Sequence, residues 1–209
     1  MITLYGFPNS RSLRAAWTLE ELGVEYEYQS VDMMAAEGRG KAHLARHPDG
    51  KVPVLEDGEL TLFESSAICR YLAERYGEPG SLLPASIEDR ALVDQWMSFV
   101  VSELEQPLWT QAKHKFALPR EQRVPAILPA AAWEFQRALG AVQRRFDGEG
   151  WLVGNRFSVA DVLLAHTLSW GVKFKHRLPE GLNDYRKRCM ARPALARAVE
   201  REKPVAESS

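Results

Sequence analysis

The chain has 209 residues, of which 45% are hydrophobic and 26% charged. These are ordinary globular values that exclude disorder or a collagen-like repeat as a global description and are enough for a core without disulfides or structural metal. The length predicts one large or two small domains. With 27 basic against 28 acidic side chains the formal charge is −1, so the net charge gives no reason to expect a nucleic-acid partner or a membrane surface.

Ile2 to Gly6 is a short apolar run broken at Pro8, which predicts a buried strand. Leu13, Ala16, Trp17, Leu19 and Leu22 then recur at helical spacing, and Gly23 stands where a helix ends. Val24, Tyr26 and Tyr28 alternate with Glu25, Glu27 and Gln29, a strand period. Met33 to His47 reads as a short helix plus loop. Val54-Leu55 and Leu60-Thr61-Leu62 flank Asp57-Gly58, a hairpin signal. Ser65 opens a helix with Ile68, Tyr71, Leu72 and Tyr76 on its apolar side. The order over this part is β-α-β-α-β-β-α, and Gly77-Glu78-Pro79-Gly80-Ser81 reads as a linker.

From Ile87 the pattern is helical. One long segment reaches about Phe116 with a kink expected at Pro107. Pro119, Pro125 and Pro129 mark a loop before a second helix ending near Phe146. Ser158-Val159-Ala160-Asp161 fits a capping box, with Phe157 and Val162 at the staple positions. Shorter helices follow near Leu182 to Ala191 and Pro193 to Arg201, and Lys203 to Ser209 reads as a frayed tail. The division is therefore an α/β domain over 1–77, a linker over 78–86 and an all-α domain over 87–209. Cys69 and Cys189, too few and too far apart for a disulfide framework or zinc cluster, read as idle thiols of a reducing compartment. The N-terminus has no basic region followed by a long apolar segment, and no stretch approaches about 18 uninterrupted apolar residues. A soluble, cytoplasmic protein is the expectation.

Leu4-Tyr5-Gly6-Phe7-Pro8-Asn9-Ser10, Lys51-Val52-Pro53-Val54-Leu55, Glu64-Ser65-Ser66-Ala67-Ile68 and Ser158-Val159-Ala160-Asp161 stand in one order along nearly the whole chain. On these residues the chain resembles the cytosolic glutathione transferases, serine-type and bacterial-like. The resemblance implies a thioredoxin-like N-terminal domain, an all-helical C-terminal domain forming the acceptor pocket, and a homodimer. It implies glutathione as co-substrate, with no metal or redox cofactor. The implied reaction conjugates the glutathione thiolate to a small hydrophobic electrophile or uses it to reduce a peroxide. Alternatives are a non-catalytic binding or scaffold protein of the same fold, and a glutathione-dependent isomerase or dehalogenase.

Proline at position 53 removes a ladder donor at a strand start. In the similar family this proline is cis, and the residue before it, here Val52, pairs through its backbone with the cysteinyl part of glutathione. The plainer reading is a trans-proline loop. Ser65 sits where a helix begins, so its hydroxyl and the helix N–H groups suit a carboxylate, with Glu64 beside them for an ammonium. The resemblance assigns this pair to the γ-glutamyl end of glutathione, against a bare helix cap as the plainer reading. Ser10 follows the first strand and precedes the first helix, where its hydroxyl suits a sulfur. A hydrogen bond to a charged group contributes about 1.5–3 kcal/mol, enough to lower a thiol pKa from roughly 8.5 by one to two units. Ionisation gains no more than about thirtyfold, partly offset because nucleophilicity falls with pKa; positioning must supply the rest. Ser12 competes with Ser10 for the cap role.

Tyrosine-type relatives carry their hydroxyl at the position of Gly6, and strand alternation turns Tyr5 away from the site. Cysteine-type chemistry needs a thiol near the first helix, and neither cysteine lies there. Lys51 is the first candidate cation for the glutathione backbone, with Arg39, Lys41 and His43 as further candidates for the glycine carboxylate. Serine-type relatives often have histidine where this chain has Gly50, so one contact is missing or replaced. Phe7, Leu108, Trp109, Phe116, Trp170 and Phe174, with Lys113 and His114 adding polarity, are candidates for the acceptor pocket, although aromatics at helical spacing are more often core. Arg186-Lys187-Arg188 reads as a solvated face and Asp161 as structural.

Overall fold

The computed structural model describes residues 1–203, so part of the expected C-terminal tail, 204–209, lies outside the described residues. In chain order the elements are β1 (Ile2–Gly6), α1 (Ser12–Leu22), β2 (Tyr26–Ser30), α2 (Lys41–Arg46), β3 (Val54–Asp57), β4 (Leu60–Phe63), α3 (Ser65–Tyr76), α4 (Ile87–Phe99), α5 (Gln106–Ala112), α6 (Leu128–Gln143), α7 (Val159–Lys173), α8 (Glu180–Met190) and α9 (Pro193–Arg201). They form two compact units, Met1–Leu83 together with residues 191–203, and Pro84–Met190.

The first unit is thioredoxin-like. Its sheet has the order β2-β1-β3-β4, with β1 and β2 parallel and the other neighbours antiparallel. Leu4 faces Leu55 in register, and both are fully buried. The next pair, Tyr5 and Val54, turns to the other face and packs with Val31, Met33 and Val52. Alternation thus gives the sheet two covered faces. α1 buries Ala15, Ala16, Trp17 and Leu19 and stops at Gly23, whose φ of 65° lets its N–H reach the Leu19 carbonyl. The hairpin turn centres on Gly58-Glu59, one residue later than Asp57-Gly58, because Asp57 still pairs with Leu60. Gly58, at φ 61°, takes the first central position.

The last helix was expected in the helical domain, but α9 groups with the first unit and packs on α1. Arg192 reaches Glu21 in a two-pronged pair (2.5 and 2.7 Å), and Arg197 reaches Glu20 at 2.7 Å. The partners are 171 and 177 positions apart in the chain, so no local signal reveals the pairing.

The second unit is all-helical. Residues 87–117 form one continuous rod in which α4 and α5 are joined by π-helical turns at Val100–Glu105, with a second π stretch at Lys113–Ala117. The kink expected at Pro107 takes this form: a proline lacks the N–H and crowds the carbonyl four residues back, and widening the preceding turns relieves both. α7 buries Val162, Leu163, Leu164, Ala165 and Leu168. Its capping box is present, and buried Asp161 accepts from Ser158 N–H (2.8 Å), Ser158 Oγ (2.8 Å), Leu152 N–H (3.0 Å) and Tyr185 Oη (2.7 Å). Burial pushes the Asp161 carboxyl up from its ordinary range while these donors pull against it, and burial likewise pushes the Tyr185 phenol up.

Candidate functional site

β1 ends at Gly6, and the chain turns through Phe7, Pro8 and Asn9 into α1. Asn9 sits at φ 60°, a left-handed conformation that asparagine tolerates better than most residues. Gly6 is required by close approach: a Cβ there would lie 2.4 Å from Tyr28 Oη and 2.8 Å from Ser12 Cβ. A side chain at position 6, where tyrosine-type relatives carry theirs, therefore has no room. Tyr5 is turned away, donating to Glu56 Oε2 at 2.8 Å, with the Arg46 guanidinium 4.4 Å over its ring. Burial and Glu56 both raise its phenol pKa.

Ser10 and Ser12, which competed in the sequence, have different places. Ser12 is fully buried as the first residue of α1, and its Oγ accepts the Phe7 N–H at 3.2 Å. Ser10 is half-buried, accepts the Ser12 N–H at 3.1 Å and lies 2.8 Å from Ser12 Oγ. A hydroxyl has one proton and two lone pairs. Either serine can therefore donate across the 2.8 Å pair, and Ser12 Oγ also accepts the Phe7 N–H.

At the same end of the sheet, where Tyr5 pairs with Val54, the ladder of β3 begins, so the Val52 N–H and C=O fall outside it. The Val52-Pro53 bond is cis, as the resemblance implied. His43 is buried, and its Nε2 lies 2.8 Å from the Lys51 carbonyl. A carbonyl only accepts, so Nε2 carries a proton, and the ring fixes the backbone just before Val52.

Lys51 is exposed and pairs with Asp49 at 2.6 Å. The Lys51 ammonium, with a smaller contribution from Arg39, holds the Asp49 carboxyl below the usual carboxylate range. Arg39, exposed at the end of the 3-10 turn Glu37–Arg39, and Lys51 thus share one acidic neighbour. Gly50 has φ 61°, and a Cβ there would lie 2.3 Å from the Gly38 carbonyl oxygen. The histidine of relatives does not fit this backbone, which explains the departure in physical terms. His47, overlooked in the sequence, is buried nearby. It accepts the Asp49 N–H at Nδ1 (3.1 Å) and lies 5.0 Å from the Phe63 ring. Burial lowers its pKa, with Glu64 pulling the other way.

Glu64 joins β4 to α3 at φ 72°, ψ 110°, a conformation costly for a residue with a side chain. Ser65 was expected as a cap, but it is the first residue of α3 and is buried, and its Oγ accepts from Arg14 Nη1 at 3.2 Å. No side-chain cap bond is made at the start of α3, and the dipole of a helix N-terminus favours a negative charge there. Arg14, missed by the sequence reading, is fully buried on the face of α1 that also carries Trp17 and Thr18. An arginine three and four residues from buried positions was the available signal.

Residues 1–74 match the family model described as glutathione S-transferase, N-terminal domain, and residues 106–193 match its C-terminal domain. The chain belongs to the glutathione S-transferase family. Glutathione S-transferase F10 of Arabidopsis thaliana is 34% identical over 172 residues, covering 79% of this chain and 78% of its own. Glutathione S-transferase 4 of Zea mays is 34% identical over 164 residues, covering 77% and 73%. A solved glutathione transferase from Methylococcus capsulatus, 30% identical, superposes with a TM-score of 0.84 over 97% of this chain and 98% of that one.

The transferase's acceptor candidates fall in different settings. Leu108 is fully buried core and presents no surface to a substrate, a correction that follows from the inward face of α5. Trp109, Lys113 and Trp170 are half-buried in the helical unit, and Phe7 is half-buried in the first. Trp170 lies 5.9 Å and Phe116 6.4 Å from Phe174, edge-on and tilted respectively. Among the described residues no group of three or more His, Cys, Asp or Glu side chains is arranged to hold a metal.

Proposed function

We propose that this glutathione transferase ionises the thiol of glutathione with a hydrogen bond from Ser10 and conjugates the thiolate to a small hydrophobic electrophile, the serine-type mechanism. The observation that carries the reading is the ordered pair Ser10–Ser12, in which the buried hydroxyl fixes the half-buried one. A proton donated to sulfur favours thiolate over thiol. Val52 would pair its N–H and C=O with the cysteinyl backbone next to Pro53. The α3 N-terminus with Ser65 would take the γ-glutamyl carboxylate and Glu64 its ammonium. Lys51 and Arg39 would receive the glycine carboxylate, displacing their interaction with Asp49.

The acceptor would lie against Trp109, Lys113 and Trp170 of the helical unit. Glutathione enters as co-substrate, and no step of this chemistry calls for a metal. No helix among the described residues is long and apolar enough to cross a membrane. The proposal extends to a cytoplasmic location and a homodimeric state, which family membership supports. The joint presence of Ser10, Pro53, Glu64 and Ser65 favours a catalyst over a scaffold of the same fold.

The test is conjugation of glutathione to an activated chloroarene by the wild-type protein and by Ser10→Ala, with glutathione affinity followed by calorimetry. The reading expects Ser10→Ala to bind glutathione nearly as well and to lose most of its turnover. Wild-type protein that does not bind glutathione at millimolar concentration would leave the scaffold alternative standing.

A further inference from the structure

The loop between β2 and α2 carries two adjacent methionines in opposite surroundings. Met34 is 86% exposed, whereas Met33 is half-buried and, like Val52, packs on the cluster of Tyr5, Val31 and Val54. The loop is closed on itself. The Glu37 N–H donates to the Asp32 carbonyl at 3.0 Å, and the Glu37 carboxylate accepts the Asp32 N–H at 2.6 Å. Asp32 Oδ1 accepts the N–H groups of Met34 (2.8 Å) and Ala35 (3.0 Å). Ala36 passes through φ 63°, a left-handed conformation that is costly for a residue with a Cβ. This closure sends the Met33 side chain toward the core cluster and leaves that of Met34 in solvent.

The Met33 thioether also lies against Gly38, where a Cβ would be 3.1 Å from its Sδ and 3.1 Å from its Cε. Gly38 is keyed in turn into Gly50. A Cβ at Gly38 would lie 2.4 Å from the Gly50 carbonyl oxygen, and one at Gly50 2.3 Å from that of Gly38. Arg39 and Lys51 are the residues that follow these two glycines, so the sulfur supports the backbone from which both cations project. The thiols of the chain do not compete with it for an oxidant. Cys69 and Cys189 are fully buried, and burial pushes the Cys69 thiol up to about 11, which leaves little thiolate to react. A thioether is oxidised in its neutral form and needs no ionisation.

We propose that Met33 is an oxidation site for hydroperoxides, and that its sulfoxide weakens glutathione binding by shifting the Gly38–Gly50 contact that carries Arg39 and Lys51. The second half rests on the glutathione reading above. In the step, a lone pair of Sδ attacks one peroxide oxygen, the S–O bond forms and the O–O bond breaks. With hydrogen peroxide the departing hydroxide takes the proton of the transferred OH and leaves as water. Sulfur is oxidised by two electrons and the peroxide is reduced by the same two. The product is polar where the thioether was apolar. Its oxygen is costly to keep against Val31 and Val54 without a donor, so the loop lifts from the cluster and takes Arg39 with it. Reduction of the sulfoxide returns the apolar side chain and reseats the loop.

The experiment treats full-length wild type, Met33→Leu and Met34→Leu with graded hydrogen peroxide, removes the peroxide, and titrates each with glutathione by calorimetry. Fragment mass spectrometry reads the oxidation of each methionine, and a thermal melt reads the loop without any ligand. Leucine keeps nearly the volume of methionine and has no sulfur to oxidise. Met34 is expected to oxidise first and without effect. As Met33 oxidises, the glutathione dissociation constant should rise about fivefold, the equivalent of one ordinary hydrogen bond, in wild type and Met34→Leu but not in Met33→Leu. Methionine sulfoxide reductases for both sulfoxide epimers should restore it. A Met33 that stays reduced while Met34 is fully oxidised overturns the proposal, as does an affinity unchanged at full oxidation of Met33 or a loss that persists in Met33→Leu. The dependence on Met33 occupancy in wild type and Met34→Leu decides the matter even if Met33→Leu does not fold. Untreated wild type that fails to bind glutathione removes the glutathione reading instead. A melting temperature that then falls in step with Met33 oxidation upholds the oxidation site, and one that does not removes it as well.

Discussion

Ser12 Oγ lies 2.8 Å from Ser10 Oγ and is itself fixed by the Phe7 N–H. The buried serine thereby helps to hold the rotamer of its half-buried neighbour. Removing its hydroxyl takes one partner from Ser10, which still accepts the Ser12 N–H, and leaves the Phe7 N–H without that acceptor. Ser12→Ala is expected to lower kcat/KM for conjugation by about three- to tenfold, the kinetic equivalent of one ordinary hydrogen bond. The apparent pKa of the pH–rate profile should move upward, and glutathione affinity should barely change. A loss of affinity with an unmoved pH profile would make Ser12 merely structural.

Arg14 is predicted to act on the other end of glutathione. Its guanidinium is buried and donates to Ser65 Oγ at 3.2 Å, holding the first turn of α3 where the γ-glutamyl carboxylate is proposed to dock. Arg14→Met should raise the dissociation constant for glutathione about fivefold and cost about 1–3 kcal/mol of stability. Calorimetry and denaturant unfolding read the two effects separately, and an unchanged affinity in a folded variant would contradict the assignment.

Acid sensitivity follows from two histidines. Burial lowers the pKa of both His47 and His176 from the ordinary value of 6.5. Above that value both folded and unfolded chains keep them neutral, and there is no penalty. Below it the unfolded chain binds protons that the folded chain resists, so stability falls as the pH drops and levels off below the folded pKa values. Asp161 has the opposite sign: its folded carboxyl pKa is raised from 3.8, which favours the folded state in acid. The melting temperature is therefore expected to fall between pH 7.5 and 5.5, and to fall less in a His47→Gln/His176→Gln double variant.

Asp161→Asn should be among the most damaging single changes in the helical unit. The carboxylate accepts from four donors, whereas an amide turns an NH2 toward some of them. A loss of about 3 kcal/mol or more is expected, from donors left without an acceptor in a buried site. Urea unfolding measures it, and a loss below about 1 kcal/mol would mean that the network relaxes.

What was legible in the sequence was local. Gly23 after an apolar helix face, the Asp57-Gly58 turn, and Ser158 with Asp161 three residues on are each written within a few positions, and only the turn moves, by one residue, to Gly58-Glu59. The position before Phe7 could be read as unable to hold a catalytic tyrosine because a glycine occupies it. The structure adds the reason, a Tyr28 hydroxyl 2.4 Å from any Cβ. Long-range pairing was not legible. Arg14 and Ser65 are 51 positions apart, and α9 is claimed by Glu20 and Glu21 of α1 from the far end of the chain. The π-helical turns escaped because proline signals a break in the pattern without saying how the backbone relieves it. The roles of Ser10 and Ser12 could not be separated either, since two serines two residues apart differ only in which one the core covers.

The ionisation of the bound thiol tests the central claim most directly. Thiolate absorbance near 240 nm (roughly where ionised sulfur absorbs) is followed against pH for glutathione bound to wild type and to Ser10→Ala. The account predicts a thiol pKa in the wild-type complex about one to two units below the free value of roughly 8.5, returning toward that value in Ser10→Ala. An equally low thiol pKa in the two complexes would contradict it and move the activating group off Ser10.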